Sequence, residues 1–224
     1  MNIFLLTFFL LVSLLFILVR VLESTSVYFP TKEISANPSN LGLSFDDVLI
    51  KTTDGLNINA WFIPHTSQAP TLIFAHGNAG NIADRLAKIK YWHDLGLNVL
   101  IFDYRGYGKS QGKPSEQGIY KDIDAVYDYL VKDKGISEKK IIAYGASLGG
   151  AVVAELAVKK KVAALIIEAS FTSAADLAKL HYPYIPTFMM SVKFDTLSKI
   201  DKIASPKLFM HSKEDATVPY QMGQ

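Results

Sequence analysis

The chain has 224 residues, enough for one short N-terminal segment and one domain of roughly 200 residues with a sizeable core. Its formal net charge is only +2, with lysines spread along the chain, so neither nucleic acid nor a strongly acidic partner is expected. The absence of cysteine excludes disulfides, a cysteine nucleophile and thiolate metal sites, and we predict no metal or cofactor.

The N-terminal segment is long and apolar. Residues 3–19 are almost entirely Leu, Phe, Ile and Val. The run continues to about 20 residues, the length that crosses roughly 30 Å of hydrocarbon as a helix. Its polar interruptions, Thr7 and Ser13, can bond to backbone carbonyls one turn back. We therefore predict a single-pass membrane protein with a transmembrane anchor over residues 1–22 and a polar linker over 23–43.

Two other interpretations of this segment stay open. A cleaved signal peptide is less favoured, because the start lacks a basic region and Ser24–Ser26 is a weak cleavage pattern. A buried core helix would need more surrounding protein than one domain offers. The side of the membrane is undetermined, since Arg20 and Lys32 favour a cytoplasmic domain but Glu23 and Glu33 stand beside them.

Residues 44–224 read as one domain of alternating strands and helices. The predicted strands are 45–51, 56–63, 71–75, 98–102, 140–144, 162–167 and 206–210. The predicted helices are 82–93, 115–131 and 148–160. The first two strands flank Asp54-Gly55 and form an antiparallel hairpin. The remaining alternation predicts a mostly parallel sheet with helices on both faces.

The most informative motif is Tyr144-Gly145-Ala146-Ser147-Leu148-Gly149-Gly150, between a predicted strand and a predicted helix. A serine in such a turn is forced into a strained backbone, and glycines two residues before and after it keep the neighbouring turns apart. The Ser147 hydroxyl then points out above the sheet. The amide of Leu148, at the helix N-terminus, is aimed at the oxygen that becomes negative in acyl transfer.

A second motif, His76-Gly77-Asn78-Ala79-Gly80-Asn81, also follows a strand and precedes a helix. Its small residues let the backbone approach a ligand, and the amide of Asn78 can supply a second oxyanion donor. His76 is interpreted as bracing this loop by hydrogen bonding rather than as the catalytic base.

Two more loops follow strands. In residues 102–110 the glycines permit tight turns and Asp103 can form an internal ion pair with Arg105, and we interpret the stretch as a structural loop. In residues 211–219 a carboxylate leaves the last predicted strand toward the same sheet edge as Ser147, where it can orient an imidazole. Asp215 is preferred for that role, and Glu214 is interpreted as solvated.

These stretches, in this order and spacing, resemble the α/β-hydrolase superfamily, and most of all its membrane-anchored, serine aminopeptidase-like branch. The resemblance runs from about Phe45 to the last residue. It implies a hydrolase with an eight-stranded, mostly parallel sheet and no cofactor. It also implies Ser147 as nucleophile, Asp215 as triad acid, the amides of Asn78 and Leu148 as the oxyanion hole, and a lid over an acyl pocket between residues 171 and 203.

One departure from the family pattern concerns the base. In the family's chain order the histidine follows the acid, after one more helix and strand, whereas all 5 histidines of this sequence precede Asp215. His211 is a weak substitute. We therefore expect a fragment in which the strand at 207–210 is an open edge prone to association.

Three functions remain to be weighed. The first is a hydrolase of ester, thioester or possibly amide bonds through an acyl-serine, acting on a small-molecule or lipid substrate. The second is a catalytically inactive remnant or scaffold, because the triad histidine is missing. The third, a ligand-binding module, has no support beyond a pocket. The sequence does not determine the acyl group, the leaving group or the oligomeric state.

Overall fold

The central sheet forms from short apolar runs whose β-branched and aromatic side chains favour extended backbone. The computed structural model describes residues 3–224, so the first two residues of the predicted anchor lie outside it. The strands are β1 (Phe29–Pro30), β2 (Asp46–Lys51), β3 (Asn57–Ile63), β4 (Thr71–Ala75), β5 (Ala79–Gly80), β6 (Asn98–Phe102), β7 (Ile141–Ala146), β8 (Ala164–Glu168) and β9 (Lys207–Met210). Seven of them form one sheet in the order β2-β3-β6-β4-β7-β8-β9.

The sheet is mostly parallel, as predicted. β2 and β3 form the predicted antiparallel hairpin, and β3 also runs antiparallel to β6. All other neighbours in this sheet, from β6 to β9, are parallel. This arrangement confirms the α/β class and the α/β-hydrolase fold predicted from the motifs.

The helix α1 precedes the strands, and the other helices lie in the connections between strands. They are α1 (Ile3–Ser26), α2 (Leu86–Asp94), α3 (Glu116–Asp128), α4 (Leu148–Lys159), α5 (Ala174–His181) and α6 (Leu197–Ile200). The predicted helix at 82–93 begins as a 3₁₀ turn at Ile82–Arg85, and α2 follows it. The Asn81 side chain caps this turn by accepting from the Ala83 amide. The Ser115 hydroxyl caps α3 by accepting from the Gly118 amide.

Each face of the sheet has its own hydrophobic core, because successive side chains of a strand point to opposite faces. Along β4, Ile73 and Ala75 join the core under α3 and α4. Leu72 and Phe74 join the core on the other face, with Trp92 of α2. Coverage of both faces explains why these strands are apolar throughout rather than alternating with polar residues.

The carboxyl ends of the parallel strands meet at one edge of the sheet. In the register of β4 and β7, Ala75 lies opposite Gly145, and in that of β8 and β9, Glu168 lies opposite Met210. The loops that carry His76, Ser147 and Asp215 therefore leave the sheet side by side. Ligands of open α/β sheets commonly bind at this edge.

The segment predicted as a linker is bonded to the domain. α1 continues to Ser26, beyond the predicted end of the anchor at residue 22. The chain then pairs β1 with β5, since the amide of Phe29 donates to Asn78 O at 3.0 Å and that of Thr31 to Gly80 O at 3.1 Å. The Asn81 side chain also donates to the carbonyls of Thr31 and Glu33. The segment thus forms a strap across the loop that follows β4.

Candidate active site

Ser147 lies at the sharp turn between β7 and α4, with φ 52° and ψ −118°. Positive φ is strained for a residue with a side chain, and such strain is typical of a nucleophile held at a turn. A Cβ on Gly145 would lie 2.1 Å from Gly149 O, and one on Gly149 would lie 1.9 Å from Ala75 O. Glycine is therefore required at both positions for steric reasons, as predicted. The Ser147 side chain is half-buried and faces a cavity.

The loop after β4 lies directly against the serine. A Cβ on Gly77 would sit 3.7 Å from Ser147 Cβ. Next to it, Asn78 O accepts from the Tyr107 hydroxyl at 2.7 Å and from the Phe29 amide at 3.0 Å, while the Asn78 side chain donates to Val27 O. These bonds hold the Asn78 peptide unit firmly.

The two predicted oxyanion donors share the cavity with Ser147. Asn78 and Leu148 both line it. Leu148 is the first residue of α4, so its amide has no helical carbonyl to donate to. Within residues 3–224, the Asn78 amide likewise donates to no protein acceptor. These two residues, which line the cavity with Ser147, thus each have an N–H group free to donate.

His76 is buried in the loop and does not reach the serine as a hydrogen-bond partner. Its Nδ1 lies 2.7 Å from Gly77 O, and its Nε2 lies 3.6 Å from Asp103 Oδ1, too long for a hydrogen bond. Its ring packs 4.4 Å from that of Tyr104, centroid to centroid, and Tyr104 donates its hydroxyl to His76 O. The bracing role predicted for His76 is confirmed by these contacts.

The predicted pairing of Asp103 with Arg105 is wrong. Arg105 instead binds Asp122 with Nη2–Oδ1 at 2.7 Å and Asp54 with Nη1–Oδ2 at 3.0 Å. Asp103 Oδ1 accepts from the amide of Ile82. The guanidinium therefore reaches α3 and the hairpin, while Asp103 faces the loop after β4.

Asp215 lies in the loop after β9, and its carboxylate is bound within that loop. Its Oδ1 accepts from the amides of Val218 and Thr217, both at 2.9 Å. The Val218 amide holds the pKa of Asp215 below its usual value, and Thr217 and the nearby His211 add to this effect while burial opposes it. Asp215 does not line the cavity, but Thr217 and Val218 do. The carboxylate thus stays ionised in a loop whose residues Thr217 and Val218 border the cavity of Ser147.

His211 is turned away from the serine cavity. Its Nε2 lies 2.7 Å from Val218 O and 3.6 Å from Asp215 Oδ2. The ring borders a second, smaller cavity near Gly223. This position gives no support to His211 as a base for Ser147.

The cavity over Ser147 has a volume of about 490 Å³. One part of the lining comes from α5 and the segments on either side of it, within the region implied as a lid; its members include Phe171, Leu177, Ala178, Tyr182, Ile185 and Met190. Another part of the lining was not predicted from the sequence, because it comes from the end of α1 and the first residues of the strap: Val19, Leu22, Glu23, Ser26, Val27 and Phe29. The apolar pattern of residues 3–22 predicts a lipid-facing helix and does not indicate that its end also lines the cavity.

His181, at the end of α5, is a further residue that sequence reasoning missed. It is the one histidine among the residues lining this cavity in the described part of the chain, 3–224. Its Nε2 lies 2.9 Å from Thr217 O, in the loop of Asp215. Its position within a Met- and aromatic-rich stretch gave no signal beyond ordinary packing. Over the same residues, no group of three or more His, Asp or Glu side chains is arranged to hold a metal ion.

One helix of the described residues is long and apolar enough to span a membrane. It covers Ile3–Glu23, 21 residues, judged by length and composition. Nearly all of its side chains up to residue 18 are exposed. A signal sequence passes the same test.

Comparison with known proteins gives concordant matches. The sequence profile of the family described as "Serine aminopeptidase, S33" matches residues 66–193. An uncharacterised protein of Mycobacterium tuberculosis is 36% identical over 203 residues, which cover 88% of this chain and 72% of the relative. The α/β-hydrolase domain-containing protein WAV2 of Arabidopsis thaliana is 36% identical over 217 residues, covering 86% and 70%. Protein bem46 of Schizosaccharomyces pombe is 34% identical over 214 residues, covering 88% and 71%.

Solved structures share the fold. A Pyrococcus furiosus esterase superposes with a TM-score of 0.70 at 23% sequence identity, covering 88% of this chain and 81% of the esterase. At that identity the similarity shows a common fold.

Proposed function

Because the chain belongs to the serine aminopeptidase S33 family of α/β-hydrolases, we propose that Ser147 forms an acyl-enzyme during hydrolysis of ester, thioester or related acyl bonds. One observation carries the proposal. The strained Ser147 faces a cavity that it shares with the unpaired amides of Asn78 and Leu148.

The proposed chemistry is acyl transfer in two steps. Ser147 Oγ attacks the substrate carbonyl, and the negative oxygen is stabilised by the Asn78 and Leu148 amides. The bond to the leaving alcohol or thiol then breaks, and a general base carries the serine proton to that group. Water cleaves the acyl-serine by the same route and releases the acid. Asp215 is proposed to orient the imidazole that acts as the base.

We also propose that α1 anchors the protein in a membrane. Its 21-residue apolar span supports this, and the bonds of the strap to the loop after β4 would keep the domain at the membrane surface. The substrate class is then a small molecule or a lipid-like acyl compound.

A second candidate is a protein that keeps the fold without turnover. The observation that favours it is that no histidine of residues 3–224 is hydrogen-bonded to the Ser147 hydroxyl. A triad that lacks one member retains about 10³ to 10⁴ of rate enhancement over water, which comes from the oxyanion hole and binding.

The test uses the 224-residue chain, a fluorophosphonate probe and a chromogenic ester. We expect the probe to label wild type and not Ser147→Ala. We also expect ester turnover to be slow and to rise with added imidazole in wild type alone, because no histidine of residues 3–224 is hydrogen-bonded to the Ser147 hydroxyl and a free imidazole can act as the base. Absence of labelling with and without imidazole would contradict the proposal. Fast turnover without imidazole that is lost in His181→Gln would instead identify His181 as the base.

A further inference from the structure

The apolar helix α1 changes its surroundings abruptly near its carboxyl end. Leu18 is 52% exposed, whereas the next residue, Val19, is 2% exposed, and Glu23 is 8% exposed. The first part of α1 therefore projects from the domain as an apolar rod. One side of its last two turns is packed on the domain through Val19 and Glu23, while Val21 on the other side is still 53% exposed.

The packed end of α1 is held by a carboxylate. Glu23 Oε1 accepts from the amide of Ser191 at 2.7 Å and also from that of Val192, and Glu23 Oε2 accepts from the Ser191 hydroxyl at 2.6 Å. Arg20 pairs with the same carboxylate at 3.1 Å. A buried carboxylate with this many donors is a well-satisfied group, and it fixes the helix to the segment that closes the lid region.

The same segment is held from the domain side. Glu116, at the start of α3, accepts from the amides of Lys193 at 2.7 Å and Phe194 at 2.9 Å. Four consecutive amides, from residue 191 to residue 194, thus donate to two carboxylates, one on α1 and one on α3. The end of α1 is consequently a fixed part of the domain's architecture.

This fixed end forms a wall of the cavity over Ser147. Val19, Leu22, Ser26 and Val27 line the cavity together with Leu177 and Ala178 of α5. The cavity volume of about 490 Å³ lies in the range of roughly 300–1,000 Å³ that is usual for small-molecule sites. The lining is mostly aliphatic and aromatic, so an apolar chain is the chemical group that fits it.

We propose that the end of α1 is part of the substrate site and selects a long acyl chain that enters from the bilayer along the helix. This inference rests on the proposed function for the position of the acyl carbonyl at Ser147. The chain then lies between α1 and α5, and Leu22 sets how much chain the cavity admits. A bilayer lipid is the assigned source, because the turns of α1 that line the cavity directly follow residues 3–18, whose apolar side chains are exposed.

The test measures occupancy of the cavity without requiring any chemistry at Ser147. The full chain is placed in phosphatidylcholine nanodiscs with hexadecanoic acid that carries a photoreactive diazirine at its end. Covalent labelling is quantified on the peptide that contains α5, which lies outside the membrane-spanning segment. We expect α5 labelling in wild type and equally in Ser147→Ala.

Two variants narrow the cavity on its α1 side, and a third variant is the matched control. Leu22→Trp should lower α5 labelling by about ten-fold or more, and Ser26→Leu, a milder change in the same wall, should lower it as well. Leu18→Trp places the same side chain on the exposed part of α1 and should leave labelling unchanged. Circular dichroism and thermal unfolding check that each variant folds.

The outcomes separate this inference from the proposed function. Labelling that Leu22→Trp and Ser26→Leu leave unchanged would overturn the role of α1, whatever the result at Ser147. If wild type is labelled at α5 by the lipid probe but not at Ser147 by the fluorophosphonate, the proposed chemistry is rejected and the acyl-chain site is supported. Hexadecanoyl-lysophosphatidylcholine should compete with the probe better than an S-hexadecanoyl peptide does, and the reverse order would overturn the assignment to a lipid.

Discussion

At the scale of single residues, the candidate site depends on a backbone strain that its neighbours hold in place. Ser147 adopts positive φ, which costs about 1–3 kcal/mol for a residue with a side chain. Its amide donates to Glu168 O at 2.9 Å, and its carbonyl accepts from Gly150 N at 2.9 Å and Ser170 Oγ at 2.8 Å. Both peptide groups of the serine are therefore satisfied in the strained conformation, and relaxing it would break these bonds.

Gly149→Ala should destabilise the fold strongly. The added Cβ would lie 1.9 Å from Ala75 O and 2.6 Å from Ala75 C, and both are main-chain atoms of a buried central strand that cannot move aside. We expect the free energy of unfolding to fall by about 3 kcal/mol, the upper end of the usual range for overpacking. Urea unfolding followed by tryptophan fluorescence measures the change.

Gly77→Ala is the matched control for this substitution. The added Cβ would meet Ser147 Cβ at 3.7 Å and Ala146 O at 3.8 Å, both ordinary contact distances. The free energy of unfolding should change by less than about 1 kcal/mol, because the backbone there does not require glycine. If Gly149→Ala lowers the free energy of unfolding as little as Gly77→Ala does, the contact between α4 and β4 is looser than described.

At the scale of elements, the connection between α1 and the lid region depends on one carboxylate. Glu23 accepts the hydrogen bonds of the amides of Ser191 and Val192, of which Val192 is a buried residue. Leaving buried donors without an acceptor costs about 1–3 kcal/mol for each group. The segment from 191 to 194 should therefore lose order when this carboxylate is removed.

Glu23→Ala should accelerate amide hydrogen exchange at Ser191 and Val192 by about ten-fold to a hundred-fold, as expected for a local loss of 1.4 to 2.8 kcal/mol. The remaining bonds of Glu116 should protect Lys193 and Phe194 better. Hydrogen exchange with mass spectrometry in nanodiscs makes the measurement. Glu33→Ala, an exposed carboxylate of the strap, serves as the control and should leave exchange unchanged. Unaltered exchange in Glu23→Ala would mean that packing alone holds the segment on α1.

At the scale of the whole molecule, the sheet is protected unevenly at its two edges. β2, at one edge, carries acidic residues and two ion pairs, Lys109–Asp47 and Lys134–Asp46. β9, at the other edge, exposes Leu208 by 51% and Phe209 by 42%. A charged edge resists pairing with other chains, whereas an apolar edge favours it. The predicted edge strand at 207–210 is thus an edge in the sheet formed by the described residues.

Leu208→Lys should reduce self-association of the protein in detergent, because a buried lysine would oppose pairing of β9 with a second copy. Sedimentation velocity over a range of concentrations detects the change. Leu95→Lys places the same charge on another exposed leucine, 59% exposed at the end of α2, and should have little effect. Equal reductions in both variants would point to net charge rather than to the β9 edge.

Much of the fold was predictable because its signals are local in the chain. Strands at 71–75 and 98–102 agree with β4 and β6 residue for residue, since a buried strand is a short apolar run. The turn of Ser147 was also predictable, because its glycines and its serine lie within one heptapeptide. The roles of Ser147, Asn78, Leu148 and Asp215 in catalysis remain predictions. The structure brings the first three around one cavity and binds the carboxylate of the fourth within its own loop.

The sequence by itself determined the order of strands and helices, the apolar character of α1 and the sharp turn at Ser147, because each depends on residues a few positions apart. Tertiary structure alone decided which distant groups meet. Arg105 pairs with Asp54, 51 residues away, and not with its neighbour Asp103. Glu23 accepts a hydrogen bond from Ser191, 168 residues away. Such contacts follow from the order of the strands in the sheet and from where the loops leave it. No local pattern encodes them, and for that reason the wall that α1 supplies to the cavity became visible only in the folded chain.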